Sequence, residues 1–209
     1  MLRKLAFTAS AVLLIAPAAG AQMSTNFDDV PTSCTGVLNN GYAGMAWNNL
    51  YAYNAQQCGG IIINSGYGIG TVSRPNGIFN SGGNPGGFMS VGGPFKFNSV
   101  YMTASWNDNL QVNVTGWLGG FQLYNTTLTL SAVAATNEVF NWTGINEVRF
   151  VSFGGTDHGY GGGGEHFAMD NLVINDRPLD SGVAPEPASL ALLGTGLVGL
   201  GAIVRRRRA

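Results

Sequence analysis

The sequence predicts an all-β protein whose central domain is an antiparallel β-sandwich of the jelly-roll type with Greek-key connections. Three observations lead to this prediction. About nine or ten short segments of apolar or alternating residues recur along the chain, and glycine-rich turn signals separate them. No segment has the apolar spacing of an amphipathic helix of ordinary length.

The predicted strands of the first half are short. Residues 24–30 predict a strand that ends in two carboxylates, and the Gly/Asn-rich region 32–60 predicts loops and short strands. Residues 61–63 and 69–72 are β-branched runs next to glycines, which favours two buried strands. Successive turn signals from residue 75 to residue 87 predict a long surface loop.

The strand pattern is clearest after residue 95. Leu110, Val112 and Val114 alternate with polar residues, and this period of two predicts a half-buried strand. Residues 106–109 predict a hairpin turn between this strand and the preceding one. Further strands are predicted at 121–130, 138–142, 145–153 and 166–174, with a glycine-rich loop before the last.

The N-terminus has the pattern of a secretory signal peptide. Arg3 and Lys4 precede an apolar stretch, and small residues surround Gly20, so we expect signal peptidase to remove residues 1–21. An uncleaved anchor is the alternative. The mature domain, residues 22–176, has a linker after it, residues 177–184.

The C-terminus has three parts in a fixed order. Pro185, Glu186 and Pro187 precede seventeen uncharged residues, and the basic tail Arg205, Arg206, Arg207 and Arg208 follows. At about 1.5 Å per residue the uncharged segment reaches about 25 Å, which predicts a single transmembrane helix with a cytoplasmic tail.

This arrangement resembles the PEP-CTERM sorting signal of Gram-negative bacteria, which the membrane protease exosortase processes. The resemblance covers residues 185–209 and implies an inner-membrane intermediate, followed by release to the cell surface or extracellular matrix. Exosortase and signal peptidase are the partners it implies during export. The helix itself is short and glycine-rich, so we expect a temporary anchor.

Composition narrows the function of the mature chain. Between residues 22 and 184 there are four basic and ten acidic residues, a net charge of −6. So few cations argue against binding to nucleic acid. Cys34 and Cys58 make an even number of cysteines in an exported chain, which favours a disulfide between them; two buried free thiols are the alternative. The disulfide would stabilise the fold by about 3 kcal/mol.

A calcium site is the first candidate for bound chemistry. Phe27-Asp28 and the closing segment around Asp170 resemble jelly-roll carbohydrate-binding modules, in which such acids bind one structural calcium. The resemblance implies Asp28, Asp29 and Asp170 as ligands, and their oxygens suit this cation. The alternative is that Asp170 only caps a turn or hydrogen-bonds backbone.

Aromatic residues beside amides supply the second candidate, a sugar-binding cluster. Trp106, Asn107 and Asp108 form the predicted cluster, and Trp117 on the polar side of its strand is another candidate, although core packing is the alternative for each. His158 and His166 lie in a glycine-rich segment that favours a flexible loop over a zinc or acid–base site.

These patterns favour an exported, non-catalytic protein of the cell surface or of an exopolysaccharide matrix. A lectin-like carbohydrate-binding module is the alternative, and a polysaccharide-acting hydrolase is the third hypothesis. No nucleophile motif is present, whereas paired carboxylates for glycoside cleavage depend on spatial separation. The expected partners are therefore the export enzymes and polysaccharide, with calcium as the sole expected cofactor.

Overall fold

A computed structural model describes residues 23–175. The predicted signal peptide, linker, transmembrane helix, Pro-Glu-Pro segment and basic tail lie outside the described residues. The chain divides into two units after Asp176, and every described residue belongs to the first. Within residues 23–175, no helix combines the length and apolarity that a membrane crossing requires.

Two antiparallel sheets contain most of the strands. The seven-stranded sheet has β11 (Thr136–Ile145), β7 (Phe95–Ala104), β14 (Phe167–Ile174), β5 (Asn76–Asn80), β4 (Leu50–Asn54) and β2 (Thr35–Val37) in spatial order, and β1 (Met23–Thr25) also pairs with β14. The five-stranded sheet has β10 (Phe121–Leu130), β9 (Leu110–Leu118), β12 (Glu147–Phe153), β6 (Gly86–Ser90) and β3 (Met45–Asn48).

One apolar core joins these two sheets. Phe97 of β7 and Phe88 of β6 lie 5.8 Å apart edge to face, although their strands belong to different sheets. Val114 of β9 and Phe150 of β12 are fully buried in the same cluster. Each sheet therefore buries one face, and the prediction of an antiparallel all-β domain is confirmed; the finer jelly-roll assignment stays a prediction.

The segment after β7 crosses between sheets, so the predicted hairpin at residues 106–109 is wrong. β7 lies in the seven-stranded sheet and β9 in the five-stranded sheet. Between them, β8 (Asn107–Asp108) pairs with β13 (Thr156–Asp157) in a separate two-stranded sheet. Turn-forming residues mark both hairpins and crossovers, and they do not tell which strands pair.

Two predicted strands are short helices instead. α1 (Gly60–Ile63) and α2 (Gly66–Gly70) replace the strands expected at residues 61–63 and 69–72. The Ser65 side chain caps α2 by accepting a hydrogen bond from Tyr67 N at 3.4 Å. Gly66 lets this helix approach β7, because a Cβ there would lie 1.8 Å from Ala104 O. Short apolar runs do not distinguish buried strands from short helices.

The predicted loop at residues 75–87 is also wrong, because it contains β5, a short 3-10 turn (Ser81–Gly83) and the start of β6. Asn80 explains much of this difference. Its side chain is fully buried, its Nδ2 donates to Ser152 Oγ at 3.0 Å and to Glu165 O at 3.2 Å, and its Oδ1 accepts from Phe167 N at 2.8 Å. A residue typical of turns here ties the two sheets together.

The disulfide between Cys34 and Cys58 is confirmed. It closes the segment that contains β2, β3 and β4. Beside it, Asn54 N donates to Cys34 O at 2.7 Å, so the covalent link and a backbone hydrogen bond hold the same corner.

We predict that Asn80→Ala lowers the free energy of unfolding by about 3 kcal/mol, because it removes the hydrogen bonds to Ser152 and Glu165 and leaves the buried Phe167 N–H without its acceptor. Urea-induced unfolding of the wild type and the variant measures the difference. Asn84→Ala is the matched control, since the Asn84 side chain is exposed and makes one long contact with Ser81 O, and it should change stability by less than about 0.5 kcal/mol. Equal stability of Asn80→Ala and the control would contradict this account.

Candidate functional site

A groove of about 300 Å³ lies on the outer face of the five-stranded sheet. Its residues come from three adjacent strands, β3, β6 and β12, and from the turn before β6. Along β12, Val148 and Phe150 point into the core, so the alternate residues Glu147, Arg149 and Val151 point outward. The groove is thus a consequence of strand alternation.

Strand register aligns the outward residues in rows. One row runs across all five strands: Asn48 lies opposite Gly87, Gly87 opposite Arg149, Arg149 opposite Thr115, and Thr115 opposite Asn125. Because glycine has no side chain, the row has a gap between Asn48 and Arg149. A Cβ on Gly87 would lie 2.4 Å from Val148 O, so close strand packing requires glycine at this position.

The next row carries the most polar cluster of the face. Glu147 lies opposite Trp117 on one side and opposite Met89 on the other. The Arg149 guanidinium donates to both Glu147 oxygens, at 2.5 and 2.9 Å, and its Cζ lies 4.3 Å from the Trp117 ring centroid. The hydrogen bond with Glu147 raises the pKa of Arg149. This geometry holds a planar, charged donor over an indole ring.

The side chains of Arg149 and Glu147 both remain accessible to a ligand. The Arg149 side chain is 47 % exposed and that of Glu147 is 18 % exposed. Trp117 is half-buried, and its Nε1 donates to Thr115 Oγ1 at 2.8 Å, which orients the ring. Met89 at the groove wall is 43 % exposed. The depression therefore offers an apolar edge and a charged donor, and the Trp117 ring lies next to it on the adjoining strand β9.

Uncharged amides and hydroxyls continue this face toward β10. Asn113 Nδ2 donates to Asn125 Oδ1 at 2.6 Å and to Thr127 Oγ1 at 3.2 Å, and Gln111 exchanges hydrogen bonds with Thr129. Such a surface hydrogen-bonds neutral polar ligands without a large desolvation cost for charge.

The structure places the predicted cluster Trp106, Asn107 and Asp108 elsewhere. Trp106 is 7 % exposed, and a Cβ on Gly162 would lie 2.5 Å from its ring, so the ring is covered on that side. Asn107 Nδ2 donates to Gly154 O at 3.1 Å. Trp106 thus packs as a core residue, which is the alternative interpretation of this cluster.

The two histidines of the glycine-rich segment do not converge. His158 Nδ1 lies 2.6 Å from Asp108 Oδ2, and this hydrogen bond lowers the pKa of Asp108. His166 Nδ1 lies 2.6 Å from the Tyr67 hydroxyl, and burial lowers the pKa of His166. Each ring has its own partner, so the two histidines do not form one metal or acid–base site.

Asp170 is the most unusual acid among the described residues. Its side chain is fully buried, and none of the ion pairs found within residues 23–175 includes it. Ser73 N donates to Oδ2 at 2.7 Å and Asn171 N to Oδ1 at 2.6 Å. Burial, with a smaller contribution from the nearby Asp28 charge, raises the pKa of Asp170 to about 7, although the hydrogen bonds from Ser73 and Asn171 oppose the shift.

The other two predicted calcium ligands divide between two environments. Asp28 Oδ1 accepts from Asn76 N at 2.9 Å, and Asp28 is close enough to influence Asp170. Asp29 Oδ1 instead accepts from the Tyr42 hydroxyl at 2.6 Å. In the part of the chain that the structure describes, no group of three His, Cys, Asp or Glu side chains could hold a metal ion.

The side chain of Asn76, whose backbone N–H bonds Asp28, has a buried amide oxygen. Asn76 Nδ2 donates to Phe27 O at 3.0 Å and to Val30 O at 2.9 Å, whereas its Oδ1 is buried and has no hydrogen-bond partner. Such an unpartnered amide oxygen is a hard oxygen donor of the kind that calcium prefers. The sequence contained no signal for this asparagine, which lies in the supposed surface loop.

Comparison with solved structures finds distant likenesses. A cleaved adhesin domain of Lys-gingipain from Porphyromonas gingivalis is 14 % identical and has a TM-score of 0.44, covering 76 % of this chain and all of that one. CBM51 from Clostridium perfringens GH95, in complex with methyl-galactose, is 10 % identical with a TM-score of 0.34 over 73 % and 99 % of the chains. TmCBM61 with β-1,4-galactotriose is 9 % identical with a TM-score of 0.34 over 66 % and 97 %. At these scores the likenesses carry no argument about function.

The search of curated proteins finds no match to this chain. The family model described as the PEP-CTERM protein-sorting motif matches residues 183–208. This match confirms the resemblance of the C-terminal segment, and the motif is the signature of exosortase substrates. It indicates an exported protein that passes through a membrane and is sorted to the cell surface. The chain therefore carries the PEP-CTERM protein-sorting motif at residues 183–208, and this motif implies an exported protein that exosortase sorts.

Proposed function

We propose that this protein is a non-catalytic surface protein that binds neutral polysaccharide on the outer face of its five-stranded sheet. The observation that carries the proposal is the groove over Gly87, which has Arg149 stacked on Trp117 along one side and Asn48 on the other. Aromatic rings contact the apolar faces of sugars, and planar charged donors hydrogen-bond their hydroxyls.

Charge favours a neutral ligand over an acidic one. Glu147 already pairs with Arg149, so the groove carries no net charge from these two residues. The mature domain around it has a net charge of −6, which repels polyanions at low ionic strength. An uronic-acid polymer would also have to displace Glu147 from the guanidinium.

Catalysis has little support at this face. Glycoside hydrolysis uses two carboxyl groups on either side of the scissile bond. Among the described residues that line the groove, Glu147 is the single acid, and Arg149 occupies both of its oxygens. A binding role therefore fits the groove better than the hydrolase hypothesis. A role in the exopolysaccharide matrix, or in a biofilm, is the biological setting that we propose for such binding.

We predict that Arg149→Ala lowers affinity for neutral polysaccharide by about tenfold or more, because hydrogen bonds from a charged donor contribute about 1.5–3 kcal/mol. Affinity electrophoresis of the mature protein against neutral and uronic-acid polysaccharides measures the retardation. Arg149→Lys should recover little of the loss, since lysine keeps the charge but not the planar stack.

Lys96→Ala is the charge-matched control, because Lys96 lies on β7 in the other sheet, and it should bind as the wild type does. Equal retardation of Arg149→Ala and Lys96→Ala, with both variants folded, would remove the support for this face.

We also propose that Asp170 and Asp28, with Asn76 Oδ1, hold a structural calcium ion near the start of β5. A buried carboxylate without a cation is held nearer to its neutral form, and a calcium ion would instead stabilise the charged form. Asp29, which bonds Tyr42, is left out of this ligand set.

We predict that the stability of the metal-free protein falls as the pH rises to neutral and that calcium restores it. The pKa of Asp170 in the metal-free folded protein is about 7, above its ordinary value of 3.8, so the folded state binds this proton more tightly than the unfolded state does. Its contribution to stability is therefore complete below about pH 4 and is lost as the pH rises to about 7. Calcium should restore stability at neutral pH, by about 2.7 kcal/mol at a free concentration about 100-fold above Kd.

Melting curves between pH 4 and pH 8, in chelator and in millimolar calcium, test both statements. Asp170→Asn should flatten the pH dependence in chelator and abolish the calcium response. Identical melting temperatures in chelator and calcium would exclude the ion, while a flat curve in chelator would contradict the altered pKa of Asp170.

A further inference from the structure

The strand β10 forms an edge of the five-stranded sheet. It pairs with β9 over the whole of its length, from Phe121 opposite Leu118 to Leu130 opposite Leu110. Within residues 23–175 no strand pairs with its other side. At this edge the backbone N–H and C=O groups of alternate residues therefore point away from β9, in the plane of the sheet. Such a row is a template for another strand.

The other sheet edges have features that hinder strand addition. β2 and β3 have three and four residues. β11 is longer, but its register shifts at two points. In addition, the Tyr124 hydroxyl donates to Thr143 O at 3.1 Å and accepts from Thr143 N at 3.3 Å, so a side chain occupies backbone groups of β11. Short length, bulges and coverage are the usual protections of an edge.

β10 has few of these protections. Its ten residues include no charged residue and no proline. Its one register shift lies near its start, between Gln122 and Tyr124, and the ladder is regular from Tyr124 to Leu130. These seven residues span about 24 Å of extended chain. Near the start of the strand, Phe121 is 77 % exposed and Leu123 is 50 % exposed.

The composition of the edge favours a second copy of the same chain as its partner. The outward side chains of Asn125, Thr127 and Thr129 are neutral, and so are those of the adjacent strand β9. The first charges across the sheet, Glu147 and Arg149, pair with each other. Two copies of a domain with a net charge of −6 repel each other, so their contact is least opposed at a neutral edge.

Symmetry makes this contact self-complementary. When β10 pairs antiparallel with its copy about a two-fold axis, each strand supplies the same threonine and asparagine side chains to the other. Cross-strand pairs of threonine stabilise such a ladder, and no like charges meet. A basic partner would need acidic residues on this strand, which it lacks.

We propose that β10 pairs antiparallel with β10 of a second copy, so that two five-stranded sheets join into one continuous sheet. The two grooves then lie on the same face of the joined sheet, and one dimer could contact a polysaccharide chain twice, with a gain from effective concentration. The dimer itself does not depend on the proposed sugar binding.

Cysteine cross-linking in cells that export the full chain tests the pairing. Single variants Asn125→Cys, Thr127→Cys and Thr129→Cys place a thiol on the outward positions of β10, and the native pair Cys34–Cys58 is already bonded. We expect a covalent dimer on a non-reducing gel at the position nearest the two-fold axis. Val37→Cys is the control, because Val37 is 60 % exposed on the edge strand β2.

A charge exchange provides a second test. Thr127→Lys and Thr127→Glu should each reduce the molar mass of the detergent-solubilised full chain from dimer to monomer by light scattering, and an equimolar mixture of the two should restore the dimer. Val37→Lys should remain dimeric. The proposal is overturned if no β10 cysteine cross-links more than Val37→Cys, or if the wild-type chain is a monomer.

Discussion

Burial of alternate residues on β9 and β12 is the constraint on which the rest of the structure depends. Val112, Val114, Val148 and Phe150 are fully buried between the sheets. A slip of one residue in either strand would turn these side chains to solvent, so the apolar core specifies the register strongly. Everything on the opposite face, including the position of Arg149 over Trp117, follows from that register.

Uncharged polar residues serve this protein in two ways. On the five-stranded face, amides and hydroxyls form an exposed hydrogen-bonding surface between Gln111 and Thr129. Inside the molecule, the amides of Asn76 and Asn80 satisfy backbone groups of separate segments. A chain with so few charges thus relies on amide hydrogen bonds where other proteins use ion pairs, and its exposed strand edge is correspondingly neutral.

The sequence predicted features that depend on local pattern or linear order. The alternation of β9, the disulfide and the PEP-CTERM motif are confirmed. Each of these could be predicted because it depends on neighbouring residues or on the number of cysteines. The predictions for segments 61–63 and 75–87 are wrong. A short apolar run does not show whether it pairs with another strand, and the sequence does not distinguish a buried asparagine from one in a turn.

The candidate groove was only partly predictable for a related reason. Trp117 was recognised as an aromatic on the polar side of a strand, whereas its partners Glu147 and Arg149 lie thirty and thirty-two positions later and meet it through strand pairing. The available signal was that Glu147 and Arg149 alternate with the apolar Val148. Only the sheet register shows that these two residues lie next to Trp117. Trp106, the more attractive candidate by sequence, is buried because Gly162 approaches its ring.

The central claim is that ligand binds on the five-stranded face and not around Trp106. Titration of ¹⁵N-labelled protein with a neutral oligosaccharide tests it directly, because the chain has four tryptophans whose indole N–H signals report separately. The account predicts that the Trp117 indole and Arg149 Nε signals shift with ligand while the Trp106 signal stays in place. A shift at Trp106 without one at Trp117, or shifts confined to the seven-stranded sheet, would contradict it.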